Sequence, residues 1–427
     1  MREALGSLTL RGRAFLGAGV TATVGALVAG QPTIVRAGLL ALALPLISGA
    51  VLLRSQYRIA LGRRLAHARI PAGGQTEVTL SLTNEGRTPT GLLRLEEQLP
   101  YALGARPRFV LEGVGRGWRR TVSYPVRADH RGRFTIGPMQ VEVGDPFGMV
   151  RLHREFASTA TLVVTPRVVD LPAVAFTGGW AGAGDNRTRA FAVGSAEDVT
   201  VRDYRRGDDL RRVHWRSSAR AGELMVRREE QPWQARATLL LDNRAQAHVG
   251  HGAASSLETA VSLVASIARH LAQRGYAVRL ATAATHEAWH DHTGAASTEA
   301  LIDQLAVVET VPGTGVPLDT SWLSDHGEGG LLIAVLGAVG ESDAVALRRL
   351  RQHVGVAAAV VLDTASWSGG TATSPSGSPV AAVASVTGAG WCAVPHRHDD
   401  RFETTWTALA RSVSARGSGM AAAGALR

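Results

Sequence analysis

The side chains best able to do chemistry crowd into one stretch, residues 198–231, DVTVRDYRRGDDLRRVHWRSSARAGELMVRREEQ. Asp208, Asp209 and His214 lie within seven positions of one another. Two carboxylates and an imidazole can carry acid–base work, as in a hydrolase or transferase. Two features weigh against it. Consecutive residues on a strand face opposite ways, and the neighbouring arginines hold both carboxylates ionised. No nucleophile–base pair is evident. The alternative chemistry is recognition. A planar guanidinium meets carboxylates bidentately and stacks on aromatic faces. Arg205, Arg212, Arg216 and Arg220, set among Tyr204, Trp215 and Glu223, can therefore build an internal ion-pair network that fixes how two domains join, or a docking surface for a partner. Gly207 with Asp208 is a turn signal. Arg212 to Trp215 reads as a short strand or the start of a helix.

Composition narrows the classes. At 427 residues two or three domains are expected. Every basic residue is Arg, and the net charge is +10. That excess favours an anionic membrane surface, because much of it flanks two N-terminal apolar runs. Nucleic-acid binding is disfavoured, since acids nearly interleave the arginines and aromatics are few. The single cysteine, Cys392, excludes a disulfide framework or a Cys-rich zinc site.

Residues 1–58 read as a membrane hairpin. Residues 14–30 and 37–53 are uncharged and apolar, each about 17 residues or roughly 25 Å of helix. Gln31 to Arg36 is expected to break them, and Pro45 is tolerated inside the second. Arg2, Arg11 and Arg13 precede the pair, and Arg54, Arg58, Arg63, Arg64 and Arg69 follow it; only Arg36 lies between. The positive-inside rule then places both termini in the cytoplasm of a two-pass protein of the cell membrane.

Residues 59–165 read as strands: 77–84, 91–96, 108–112, 118–126, 133–136, 139–143 and 161–165. Roughly seven strands with Gly and Pro between them suggest an immunoglobulin-like sandwich. Residues 166–235 hold a linker, with a flexible Gly178–Gly184, and the Arg-rich segment. From 236 to 413 strands alternate with helices, which gives a mostly parallel, doubly wound sheet. Ser255 and Glu258 can cap one helix, with Leu257, Val261, Val264, Ala268 and Leu271 on a single face. Residues 414–427 read as a disordered tail.

The strand Thr238–Leu241 ends in Asp242, which resembles the von Willebrand factor A fold. That fold's Asp-x-Ser-x-Ser holds a divalent ion through hard oxygen donors. Here the sequence reads Asp242-Asn243-Arg244-Ala245-Gln246. Arg244 would repel a dication, so Asp242 reads as a degenerate site and no cofactor is expected. Asp319, Thr320, Asp363 and Thr364 are weak remnants of other ligand loops. Cys392 with His396 and His398 suggests a nucleophile at one strand end, but a buried structural Cys is the default. His286, His290 and His292 read as a solvated loop.

Tyr204-Arg205-x-Gly207-Asp208-Asp209, then Arg212-x-His214-Trp215-Arg216-x-Ser218-Ala219-Arg220 and Gly222-Glu223-Leu224-Met225-Val226-Arg227, resembles the signature of the domain-of-unknown-function 58 family. Arg131-Gly132 and Asp145-Pro146-Phe147-Gly148 extend the resemblance back to about Arg131. It implies a membrane hairpin, a β-sandwich and a von Willebrand A-like domain in one chain. It also implies a MoxR-type AAA+ ATPase as partner, with a transglutaminase-like membrane protein as another. The expectation is a non-enzymatic membrane adaptor; the hydrolase or transferase at Asp208, Asp209 and His214 is the alternative.

Overall fold

The computed structural model describes residues 7–54, 59–86, 92–111, 117–145, 147–174, 201–203, 213, 215–227, 236–283, 295–313, 315–316, 330–367 and 378–424. The chain divides into two compact units, Met1–Thr165 and Pro166–Arg427.

The first unit begins with two helices, α1 (Leu10–Val28) and α2 (Pro32–Arg54). The break between them is shorter than expected, and Arg36 falls inside α2. Gly30 at φ +67° reverses the chain, and Pro32 restarts the helix at a position where its missing N–H is not needed. Among the described residues one helical stretch, Pro32–Ala50, is long and apolar enough to cross a bilayer. The expected first span does not meet that measure, because α1 carries Arg11 and Arg13 and is interrupted by Gly and Thr. The helices meet through small residues. A Cβ on Gly19 would fall 3.0 Å from the Gly38 carbonyl oxygen, and one on Gly38 would fall 2.8 Å from the Thr23 nitrogen. Close backbone approach of this kind is what small residues at a helix–helix contact permit. Gly38→Leu is therefore expected to cost about 1–3 kcal/mol by overpacking. Thermal unfolding in detergent checks it, with Gly17→Leu, which has open space, as the neutral control.

Ten strands follow among the described residues: β1 (Ile59–Leu65), β2 (Arg69–Pro71), β3 (Gly74–Asn84), β4 (Leu93–Glu97), β5 (Arg108–Leu111), β6 (Arg119–Ala128), β7 (Gly132–Ile136), β8 (Met139–Gly144), β9 (Arg151–Phe156) and β10 (Ala160–Thr165). They form sheets β1-β3-β6, β2-β10-β7 and β5-β4-β8-β9. The inward alternation of Val78, Leu80 and Leu82 meets Leu93, Leu95, Val141, Val143, Leu162 and Val164 in one core. Three strands escaped the sequence reading. Gly62-Arg63-Arg64 hides the alternation of β1, β2 is only three residues long, and β9 is a charged edge strand. Arg63 and Glu97 form a buried ion pair at 2.5 Å inside this unit. Burial pushes the Glu97 carboxyl up, against the lowering effect of Arg63.

The second unit contains β11 (Val201–Asp203), α3 (Trp215–Ala221), β12 (Met225–Arg227), β13 (Arg236–Leu241), α4 (Ser256–Gln273), β14 (Ala277–Thr282), α5 (Ala295–Ala306), β15 (Leu331–Leu336), α6 (Asp343–Gln352), β16 (Val356–Leu362), α7 (Pro379–Gly388), β17 (Cys392–His396) and α8 (Phe402–Gly424). The main sheet runs β14-β13-β15-β16-β17, all parallel. Leu239 and Leu241 pack with α4, α5 and α8 on one face. Leu240 packs with α6 and α7 on the other. The doubly wound expectation therefore holds at the level of a parallel sheet with helices on both faces. Ser255 caps α4 by accepting from the Leu257 N–H, and the expected face of that helix is buried. Two further differences concern the ends. Residues expected as linker are packed at their start, where Val169 donates to Ser266 Oγ and Trp406 Nε1 donates to the Pro172 carbonyl. At the other end α8 continues to Gly424, through an Ala-rich stretch where a disordered tail was expected. Gly178–Gly184 lies outside the described residues.

Candidate functional site

Two places in the second unit gather the residues singled out above. The first is the Arg-rich segment. β11 and β12 pair antiparallel, Val201 opposite Arg227 and Asp203 opposite Met225, and α3 lies between them in sequence. Ser218 Oγ accepts from the Met225 N–H at 2.8 Å and so ties α3 to β12. Gly222, at φ +77°, donates to the Ser218 carbonyl and stops the helix in a conformation other residues resist. Val213, just before α3, is buried, but α3 buries none of its own side chains. Trp215 is 70% exposed and Leu224 40%; Arg216, Arg220 and Glu223 are exposed beside them. Tyr204, Arg205, Gly207, Asp208, Asp209, Arg212 and His214 lie outside the described residues, and with them the Asp–Asp–His constellation.

The second place is the carboxyl end of the main sheet between β13 and β15. The chain leaves β13 for β14 on one side, then crosses to β15 on the other. In open parallel sheets such a switch point is where ligands bind. Here the protein fills it with its own cation. Arg244 Nε and Nη2 each donate to Asp242, to Oδ1 and Oδ2, at 2.8 Å. Its Nη1 donates to Asp343 Oδ1 at 2.9 Å, and Nη2 reaches Asp343 Oδ2 at 3.3 Å. All three side chains are 2% exposed. Backbone donors complete the carboxylates: Gly337 N–H to Asp242, and Val316 and Gly340 N–H to Asp343. Burial alone would lower the Arg244 pKa, but the hydrogen bonds and charge of Asp242, then of Asp343, outweigh it and raise it. The guanidinium stays charged. Asn243 bridges the loops on either side, donating to the Glu309 carbonyl and accepting from the Ala283 N–H.

Asp242 stands at the strand end, as the sequence suggests, and accepts from the backbone N–H groups of Arg244 and Gly337. Sequence reasoning treats Arg244 only as a repellent to metal and does not find Asp343. The available signal was an Arg two residues after a strand-end Asp, the spacing that lets one side chain fold back on the other. Among the described residues no group of three or more His, Cys, Asp or Glu side chains could hold a metal ion. Asp319, Thr320, His286, His290 and His292 lie outside the described residues. Asp363 is buried at the end of β16, beside Arg397 at 3.5 Å.

The Cys392–His396 pairing is not formed. The two residues stand at opposite ends of β17, about 13 Å apart at strand rise. His396 Nδ1 bonds Thr405 Oγ1 at 2.7 Å, and His270 meets Trp406 edge-on at 5.2 Å between ring centres. Burial lowers both imidazole pKa values; Asp400 opposes this at His396, and Arg274 adds to it at His270. Both rings are thus held neutral in the fold. Their contribution to stability is full above the free imidazole value of 6.5 and is lost as pH falls through the lowered values. Thermal unfolding of the protein from about pH 7 to about pH 5 should show a falling midpoint. His396→Gln should flatten part of that slope; an unchanged slope would count against the neutral assignment.

The family model described as "Protein of unknown function DUF58" matches residues 200–366, which take in the Arg-rich segment and the sheet through β16. The match is narrower than the span from Arg131 that the sequence resemblance suggests. No curated protein matches the chain. Among solved structures, the CARDB domain of a Pyrococcus furiosus protein, crystallised with di-metal ions, is 12% identical. The alignment covers 25% of this chain and 91% of that one at a TM-score of 0.19. The ApaA protein of Bordetella pertussis is also 12% identical, covering 26% and 94% at a TM-score of 0.20. A FixG-related protein of Vibrio parahaemolyticus is 10% identical, covering 25% and 95% at 0.17. Scores this low bear on neither activity nor partners.

Proposed function

We propose, taking the family match over residues 200–366 as premise, that this chain is a membrane-anchored, non-enzymatic adaptor that docks a protein partner on α3 and its flanks. The observation that carries the reading is Trp215, 70% exposed at the head of a helix that buries nothing. Leaving an indole in water is unfavourable, and Trp and Arg are the side chains most enriched where binding energy concentrates. Arg216 and Arg220 sit on the same short helix, and Leu224 follows it. The partner is an AAA+ ATPase of the MoxR type, as the family resemblance implies, with a transglutaminase-like membrane protein as a second.

The other candidate site supports the same reading from the opposite direction. We read the second unit as von Willebrand factor A-like, with Asp242 at the position of that fold's first metal ligand. Arg244 then stands in the metal's place, which favours a permanently closed switch point over a reaction centre. We further read α1 and α2 as the membrane anchor, with both outer ends in the cytoplasm by the distribution of Arg.

The test is affinity capture of the full-length protein from native membranes, with and without ATP and magnesium, against Trp215→Ala and His214→Ala. Retention of an AAA+ ATPase by the wild type, lost in a variant that still inserts and folds, is the expected result. An ATPase held equally by wild type and variants would remove α3 from the interface. None held by the wild type would overturn the adaptor reading.

A further inference from the structure

We propose that the turn at Phe147, Gly148 and Met149 is a membrane-interface foot: Phe147 and the neighbouring Leu10 enter the headgroup zone of a phospholipid bilayer, flanked by the cationic Arg11 and Arg13. The inference rests on the anchor reading given above and goes beyond it, because it assigns a lipid contact to the sandwich itself.

The first support is how tightly this turn is fastened to the start of α1. Leu8 forms an antiparallel bridge with Val150, Arg151 N–H donates to the Ser7 carbonyl at 2.7 Å, and Thr9 N–H donates to the Met149 carbonyl at 2.9 Å. Thr9 Oγ1 donates to the Gly148 carbonyl at 2.7 Å and accepts from the Gly12 N–H at 3.2 Å, capping α1 on the turn itself. A Cβ on Gly12 would collide with the Met149 carbonyl, so the first turn of α1 lies directly against the loop. The Arg11 guanidinium reaches to within 3.8 Å of where a Gly148 Cβ would stand. From the other side α2 returns to the same place: a Cβ on Gly49 would lie 3.9 Å from the Val150 side chain, and Leu44 packs on the sandwich core.

The second support is which side chain the turn sends outward. Asp145 is turned in; its Oδ1 accepts from the Val150 N–H at 2.7 Å and its Oδ2 from the Phe147 N–H at 3.1 Å. Its charge is thereby used to shape the loop. Phe147 is left 58% exposed and Leu10 84%. Amphipathic and aromatic side chains at the water–lipid boundary gain from partial burial, and cations beside anionic headgroups are attracted to them. A turn bolted to the end of an apolar helix pair is held where that boundary falls.

The experiment places a spin label at Phe147→Cys in a Cys392→Ser background, which removes the one native cysteine. The full-length protein is reconstituted in vesicles of phosphatidylcholine and phosphatidylglycerol. Collision with oxygen is compared with collision with a water-soluble nickel chelate. Leu40→Cys, on α2, and Tyr101→Cys serve as references. Tyr101 is fully exposed beyond Glu97, and the β4–β8–β9 register puts that end opposite the 144–151 turn. The expected result is lipid-like exposure at 40, aqueous exposure at 101, and an oxygen preference at 147 several-fold above that at 101. A label at 147 as aqueous as at 101, with 40 in lipid, overturns the foot and leaves the anchor standing. An aqueous label at 40 as well would overturn the anchor, and the foot with it.

Discussion

Arg244→Ala is expected to destabilise the second unit by about 3–5 kcal/mol, the cost of leaving partners of a buried ion network uncompensated. Domains of this kind are stable by only about 5–15 kcal/mol, so the variant should sit close to unfolding. One guanidinium satisfies four carboxylate oxygens, two on Asp242 and two on Asp343, the latter 99 positions along the chain from Arg244. It thereby locks the loop after β13 to the start of α6. Arg244→Lys should recover only part of the loss, because an ammonium cannot present the planar fork to two carboxylates. The more telling variant is the triple Asp242→Asn, Arg244→Met, Asp343→Asn. Removing the charges together abolishes the uncompensated burial, so it should be markedly more stable than Arg244→Ala alone. Hydrogen exchange of the β13 and β15 amides reads the effect within this unit. Equal protection in wild type and Arg244→Ala would sink the interpretation.

Trp215→Ala is expected to weaken partner binding by about 2 kcal/mol or more, roughly thirty-fold, while leaving the unfolding midpoint unchanged. The separation of the two effects is the point. A side chain 70% exposed contributes little to the fold, so its loss can be felt only by something that covers it. Titration of the purified partner against wild type and variant measures the first quantity, and thermal unfolding the second. A drop in stability without a change in affinity would make Trp215 a structural residue. Arg216→Ala and Arg220→Ala should act in the same direction and become weaker as salt rises, since exposed charges are screened.

Some of this architecture could be read directly from residue order. The alternation of Val78, Leu80 and Leu82 announced a half-buried strand, and the Leu257–Leu271 spacing announced the buried face of α4. Both are period signals carried by neighbouring residues. β1 and β9 were not announced, because Gly62-Arg63-Arg64 and the charged RLHREF segment break the alternation. Partners across the sheet hold them in place instead.

The candidate sites divide in the same way. The type and order of residues determined by themselves that an unusual Arg–aromatic segment exists, that Asp242 ends a strand, and that the N-terminus is apolar. Only the tertiary structure decided that Trp215 faces water and that Arg244 is a buried cation rather than a surface one. It also decided that Thr9 grips the Gly148–Met149 turn, 139 and 140 residues away. Local sequence sets which conformations and periods a segment favours. Which charge meets which carboxylate depends on strand order and register, and those are settled only when distant apolar faces pack together.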